Sequence, residues 1–163
     1  SMVQLLGEDA GFDYMKRLHA NINQYTKSGS APIKAAGQGE TLIGIVFMHD
    51  AVAQTVAGFP IATVAPCEGT GYEIGSMSII KGARNMDEAK VFYDWALSAE
   101  AQTLALQVNA FQVMSNMAAT SSDLAPKMDQ IKLIDYDFKK YGSSDERKRL
   151  LSKWDADVST LPQ

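Results

Sequence analysis

The chain has 163 residues, room for one compact domain with its own core and too few for two complete ones. Its 46% hydrophobic and 21% charged residues suit a globular fold, and no apolar run approaches the roughly 20 residues of a membrane span. The net charge of −4 argues against a nucleic-acid partner: the one basic cluster, Arg147-Lys148-Arg149, shares its segment with Asp145, Glu146 and Asp155 and reads as a solvated helix face.

Ser1-Met2-Val3 runs straight into an amphipathic segment with no signal peptide ahead of it. Val3, Leu6, Ala10, Tyr14, Leu18 and Ile22 recur at helical spacing and predict one long helix over 2–22, with His19 a partly exposed member of it. The loop Thr26-Lys27-Ser28-Gly29-Ser30 follows, then a short helix over 33–36 that closes at Gly37 and Gly39. Leu42-Ile43-Gly44-Ile45-Val46-Phe47-Met48 is a continuous apolar run, the form of a buried parallel strand. A short helix over 51–57, broken at Gly58-Phe59-Pro60, leads to a second strand over 61–64. This β-α-β order predicts an α/β fold with a parallel-rich sheet flanked by helices.

Residues 71–80 are strand-like, although they carry Glu73 and Ser76. Asn85 with Glu88 predicts a helix start, and Ser98 caps a second helix running to Val108. A short strand over 111–114 comes next; residues 115–142 carry the weakest pattern. Ser143 and Glu146 form a candidate capping box for a last helix over 144–158, with Leu150, Leu151, Trp154 and Val158 on its apolar face. Met114 and Met117 read as packing residues.

The lone cysteine, Cys67, has no partner for an internal disulfide and no cysteine cluster for a metal. No dinucleotide fingerprint, P-loop or nucleophile elbow is present, and nothing pairs a nucleophile with a base, which favours binding over catalysis. Ligands of parallel α/β sheets bind beyond the carboxyl ends of the strands, and His49-Asp50 falls there, between the apolar strand and the next helix. Position alone leaves the alternatives open: Asp50 as a helix cap and His49 as a surface loop residue.

Four stretches, taken in order, resemble the ferric-type family of ABC-transporter substrate-binding proteins, a branch of the type II periplasmic binding proteins. They are Gly7-Glu8-Asp9-Ala10-Gly11-Phe12-Asp13-Tyr14 with Leu18-His19-Ala20-Asn21; Gln24 to Ser30; Gly39-Glu40 before the strand of Ile43 to Phe47; and Ile79 to Asn85 running into Trp95-Ala96-Leu97-Ser98-Ala99-Glu100-Ala101-Gln102. The resemblance implies a ligand-capturing component of an ABC importer in the periplasm, handing its solute to a membrane permease, and not an enzyme. Family members are about twice this long, with two α/β lobes, a hinge and a cleft between them. The chain then reads as a C-terminal fragment. Residues 1–79 form a second-lobe α/β portion, 80–130 belong to the first lobe, and 131–163 return as C-terminal helices to the second.

Ferric-binding members place two adjacent tyrosines where this chain has His49 and Asp50, and no two of its six tyrosines are neighbours. The chain is similar instead to the branch that binds phosphorylated sugars, in which a His-Asp pair and a downstream glutamate take the ligand. Glu73, in Gly71-Tyr72-Glu73-Ile74-Gly75, is the candidate glutamate, with a salt bridge to a nearby base as its structural alternative and Glu68 as a weaker candidate. Carboxylates accept hydrogen bonds from sugar hydroxyls but repel phosphate, so the phosphate needs other donors. Ser28, Gly29 and Ser30 beside Lys27 offer hydroxyls and close backbone approach for it. The expected ligand is a hexose phosphate, with no cofactor and no resident metal. Two other readings keep the fold: His49, Asp50 and Glu73 as an N/O ligand set for Fe(III) or another metal ion, and a sensor domain of a signalling receptor. Exposed sheet edges in a half-length chain also predict homodimer formation or a domain-swapped association.

Overall fold

The computed structural model describes residues 1–162, and these group into two compact units. The first comprises Ser1–Thr26, Ala65–Tyr72 and the C-terminal part from Ile131. It holds α1 (Met2–Leu6), α2 (Glu8–His19), α7 (Phe138–Tyr141) and α8 (Ser144–Asp157). The single helix expected over 2–22 is two helices, because Gly7 sits at φ 84° and ψ 165°, a conformation open to glycine and strained for other residues. The chain turns there and α1 packs on α2. Their contact is close at buried Gly11, where a Cβ would lie 3.0 Å from the Met2 carbonyl oxygen and 3.0 Å from Val3 Cα.

α8 starts as the capping signature predicts, with Ser143 Oγ accepting from the Glu146 N–H at 3.3 Å. The reciprocal half of the box does not form, since the Glu146 carboxylate accepts from Arg149 at 2.8 Å. Arg149 also donates through both terminal nitrogens to Glu8, at 2.8 and 2.6 Å, tying α8 to the first turn of α2. Phe12, Ile134 and Val158 are buried in this unit, and the Lys153 ammonium lies 4.8 Å from the Phe12 ring centroid. Leu151, expected on the buried face, is half-exposed. Asp137 caps the single turn of α7 by accepting from Lys140 N–H. The Gln4 side chain clamps the segment before it, donating to the Asp135 carbonyl and accepting from Asp137 N–H.

The second unit comprises Lys27–Val64 and Glu73–Gln130. It holds α3 (Ala31–Gly37), α4 (Met48–Val56), α5 (Met86–Ala96) and α6 (Ala99–Thr103), the last running into a 3-10 turn over Leu104–Val108. α3 packs on α4, with Ile33 and Ala51 buried. Ser98 caps α6 by accepting from Ala101 N–H at 3.2 Å, and the helical stretch ends at Asn109 in a left-handed turn, φ 53°. The weakly patterned loop after it is held by side chains. Gln102 accepts from Asn116 N–H and donates to Ser115 Oγ, while Asn116 Nδ2 donates to the Leu97 carbonyl. Met117, expected to pack, is fully exposed.

The parallel-rich sheet is not formed. Among the described residues the β-pairing consists of one parallel bridge, Thr70 with Leu133, in which Thr70 N–H donates to the Lys132 carbonyl and Ile134 N–H to the Thr70 carbonyl. Residues 42–47, 61–64, 71–80 and 111–114 run between helices without a ladder. A strand exists only as one side of a hydrogen-bonded pair, so apolar composition favours an extended backbone but supplies no partner. The side chains meant for a sheet interior are consequently open: Leu42 is 100%, Ile43 80% and Val64 81% exposed.

Candidate functional site

Ser28, Gly29, Ser30, His49, Asp50 and Glu73 all lie in the second unit. Ser28, Gly29 and Ser30 form the turn into α3, with the two serine hydroxyls 3.3 Å apart. Ser30 occupies the N-cap position of α3 but makes no side-chain cap bond. Gly29 is placed against an aromatic ring: a Cβ there would lie 3.2 Å from Phe47 Cε2.

The helix expected over 51–57 begins three residues earlier, at Met48, which draws His49 and Asp50 out of the loop and into its first turn. Phe47 is the extended N-cap residue, and its carbonyl accepts from Asp50 N–H at 3.1 Å and from Ala51 N–H at 3.3 Å. A carboxylate in the first turn complements the helix dipole, so Asp50 favours this start without capping it. His49 Nε2 lies 3.6 Å from Asp50 Oδ1, and both side chains are partly exposed. The His49 ring stacks on Phe47, with centroids 5.5 Å apart and planes 14° from parallel. Phe47 therefore lies with its edge close to Gly29 and its face on His49, which puts the Ser-Gly-Ser turn near the His-Asp pair.

Glu73 is exposed, outside any helix or strand, and makes no hydrogen bond or ion pair among the described residues, so the salt-bridge alternative is not formed there. Glu68, the weaker candidate, is in the first unit. Its carboxyl is held below the ordinary carboxylate range by its own backbone N–H and by the Cys67 thiol, whose Sγ donates at 3.3 Å. Among the described residues no three His, Cys, Asp or Glu side chains gather as a metal site would need. No helix there is long and apolar enough to cross a membrane.

His19 departs from its expected exposure: it is 2% exposed and both ring nitrogens are bonded. Nε2 lies 2.9 Å from the Leu161 carbonyl, an acceptor, so this nitrogen carries the proton. Nδ1 lies 2.9 Å from Tyr25 Oη and shares a hydrogen bond with that hydroxyl. The signal was present in the sequence, because Phe12 and His19 are seven residues apart on one helix face and both are buried. A hollow of about 420 Å³ lies beside this group, lined by His19, Tyr25, Trp154, Ser159 and Leu161. It contains none of the predicted ligand residues.

Residues 4–130 match the model of a family described as bacterial extracellular solute-binding protein. An uncharacterised protein of Haemophilus influenzae is 49% identical over 159 residues, which are 97% of this chain and 46% of that protein. The periplasmic binding protein AfuA of Actinobacillus pleuropneumoniae, solved with exogenous fructose-6-phosphate bound, superposes with a TM-score of 0.93 at 52% identity, over 99% of this chain and 51% of that one. The periplasmic binding protein P5PA gives a TM-score of 0.87 at 38% identity, over 97% and 50%. The backbone thus follows the periplasmic-binding-protein path although its ladders do not close, and the chain spans about half the length of the relatives it matches. By the extent of the family match and by these likenesses, the chain belongs to the bacterial extracellular solute-binding protein family.

Proposed function

We propose that this chain serves in the capture of a phosphorylated sugar, a hexose phosphate, for delivery to an ABC permease from the periplasm. The observation that carries the reading is the meeting of Ser28-Gly29-Ser30 with His49-Asp50 through Phe47. A donor-bearing turn then lies by the edge of one ring and the His-Asp pair by its face. The turn offers hydroxyls and backbone N–H groups for phosphate oxygens, with the Lys27 charge adjacent. Asp50 offers a carboxylate to sugar hydroxyls, and its negative charge keeps the phosphate at the other end. Glu73, exposed and without a partner among the described residues, is the second carboxylate of the proposed set. AfuA, with fructose-6-phosphate bound, supports the ligand class.

In the lobe plan this implies, residues 1–79 and 131–163 belong to one lobe and 80–130 to the other. The compact units divide the chain differently, since 27–64 groups with 73–130. Sugar phosphate is preferred to a metal ion because His49, Asp50 and Glu73 do not converge as a metal would require. Calorimetry with fructose-6-phosphate, fructose, inorganic phosphate and Fe(III) tests the reading. Fructose-6-phosphate is expected to bind more tightly than either of its parts, and stoichiometric Fe(III) binding without it would reverse the assignment.

A further inference from the structure

Three residues of the proposed site lie against Phe47, and its carbonyl also accepts from the N–H of Ala51, inside α4. Its ring is 45% exposed, so it is not held by a core. One edge meets Gly29, its face carries the His49 imidazole, and its backbone carbonyl accepts from Asp50 N–H. The approach at Gly29 is close, because a methyl group there would lie 3.2 Å from the ring and oblige it to shift by a few tenths of an ångström.

We propose that Phe47 is a positioning residue that sets the separation between the Ser28-Gly29-Ser30 turn and the His49-Asp50 pair, and so selects ligands whose phosphate and hydroxyl groups are spaced to span both. This rests on the sugar-phosphate reading. A ligand that uses both ends depends on their register, whereas inorganic phosphate uses one end and does not. Positional errors of this kind act on the whole ligand, because two binding groups held in register are engaged at the entropic cost of one.

The test uses Phe47→Ala, Phe47→Leu and the conservative Phe47→Tyr in the full chain, with two readouts. The chain has only two histidines, so the imidazole signals of His49 and His19 are separable by nuclear magnetic resonance. In Phe47→Ala and Phe47→Leu the His49 ring signals and the Gly29 amide signal are expected to move and those of His19 to stay. Fructose-6-phosphate affinity falls by about tenfold or more while inorganic phosphate affinity is unchanged. Phe47→Tyr restores both. Unmoved His49 and Gly29 signals in Phe47→Ala overturn the coupling. Moved signals with unchanged fructose-6-phosphate affinity, or an equal loss for inorganic phosphate, overturn the positioning role. If the wild-type chain does not bind fructose-6-phosphate while the signals shift as described, the coupling stands and the sugar-phosphate reading fails.

Discussion

His19 Nε2 donates to the carbonyl of Leu161 at 2.9 Å, closing a link between residues 142 positions apart, at the end of α2 and just beyond α8. The same ring stacks on Tyr25, with centroids 5.6 Å apart, and Tyr25 in turn meets Trp154 edge-on. His19→Phe keeps an aromatic ring, slightly larger than imidazole, but removes both hydrogen bonds from a buried group. A loss of about 1–3 kcal/mol in unfolding free energy is expected by urea titration. An unchanged midpoint would mean that water replaces both partners at no cost.

Asp50→Ala and Glu73→Ala are expected to weaken fructose-6-phosphate binding by tenfold or more each, about 1.4 kcal/mol at minimum, since each removes a charged acceptor from hydroxyl donors. Neither side chain is buried, so the melting temperature without ligand should barely change. Isothermal calorimetry reads the first effect and a thermal scan the second. Full affinity in both variants would remove these carboxylates from the site.

Gly29→Ala forces a methyl group to 3.2 Å from the Phe47 ring. Phe47 is half-exposed and able to yield, so the expected cost to folding is small, under ~1 kcal/mol. The expected cost to binding is larger, because the ring carries His49 with it. Loss of stability equal to or greater than loss of affinity would show that the turn, not the site, is what glycine serves.

Acid should loosen the first unit. Hydrogen bonds from Arg149 hold the carboxyls of Glu8 and Glu146 below their usual range, and the guanidinium is raised in return. A depressed carboxylate contributes stability that is fully present above its unfolded value, near ~4.3, and is lost as pH falls through the lower folded value. Arg149 is exposed and the two carboxylates are partly so, the Glu146 side chain least, so salt should screen the effect in part. Arg149→Met is expected to flatten the acid limb of the stability profile below about pH 5 at low salt, and to make it less salt-sensitive. An acid limb identical to wild type would assign it to other carboxylates.

The apolar segments without ladders predict association of the chain on its own. Leu42, Ile43 and Ile45 are open to solvent, as are Val64, Ile74 and Ile80, and unpaired extended backbone invites strand addition. Light scattering at increasing concentration should show dimers or larger species, and Ile43→Lys with Ile45→Lys should reduce them. A monomer at all concentrations would count against it.

Local signals in the sequence determined much of the helical content. The Ser98 and Ser143 caps, the Gly58 stop and the helices over 86–96 and 144–157 depend on contacts within four residues, which a linear pattern contains. The His-Asp pair and the Ser-Gly-Ser turn were also legible as residues and as a resemblance. What only the tertiary structure decided was everything that needs a distant partner. Whether Leu42 to Phe47 becomes a strand depends on a neighbour to bond with, and none is present among the described residues. The burial of His19 depends on Leu161, and the link between the turn at Gly29 and the helix start at His49 depends on one ring, Phe47, which in the sequence was merely the sixth residue of an apolar run. Periodicity records which face a residue takes along its own element; it does not record what that face meets.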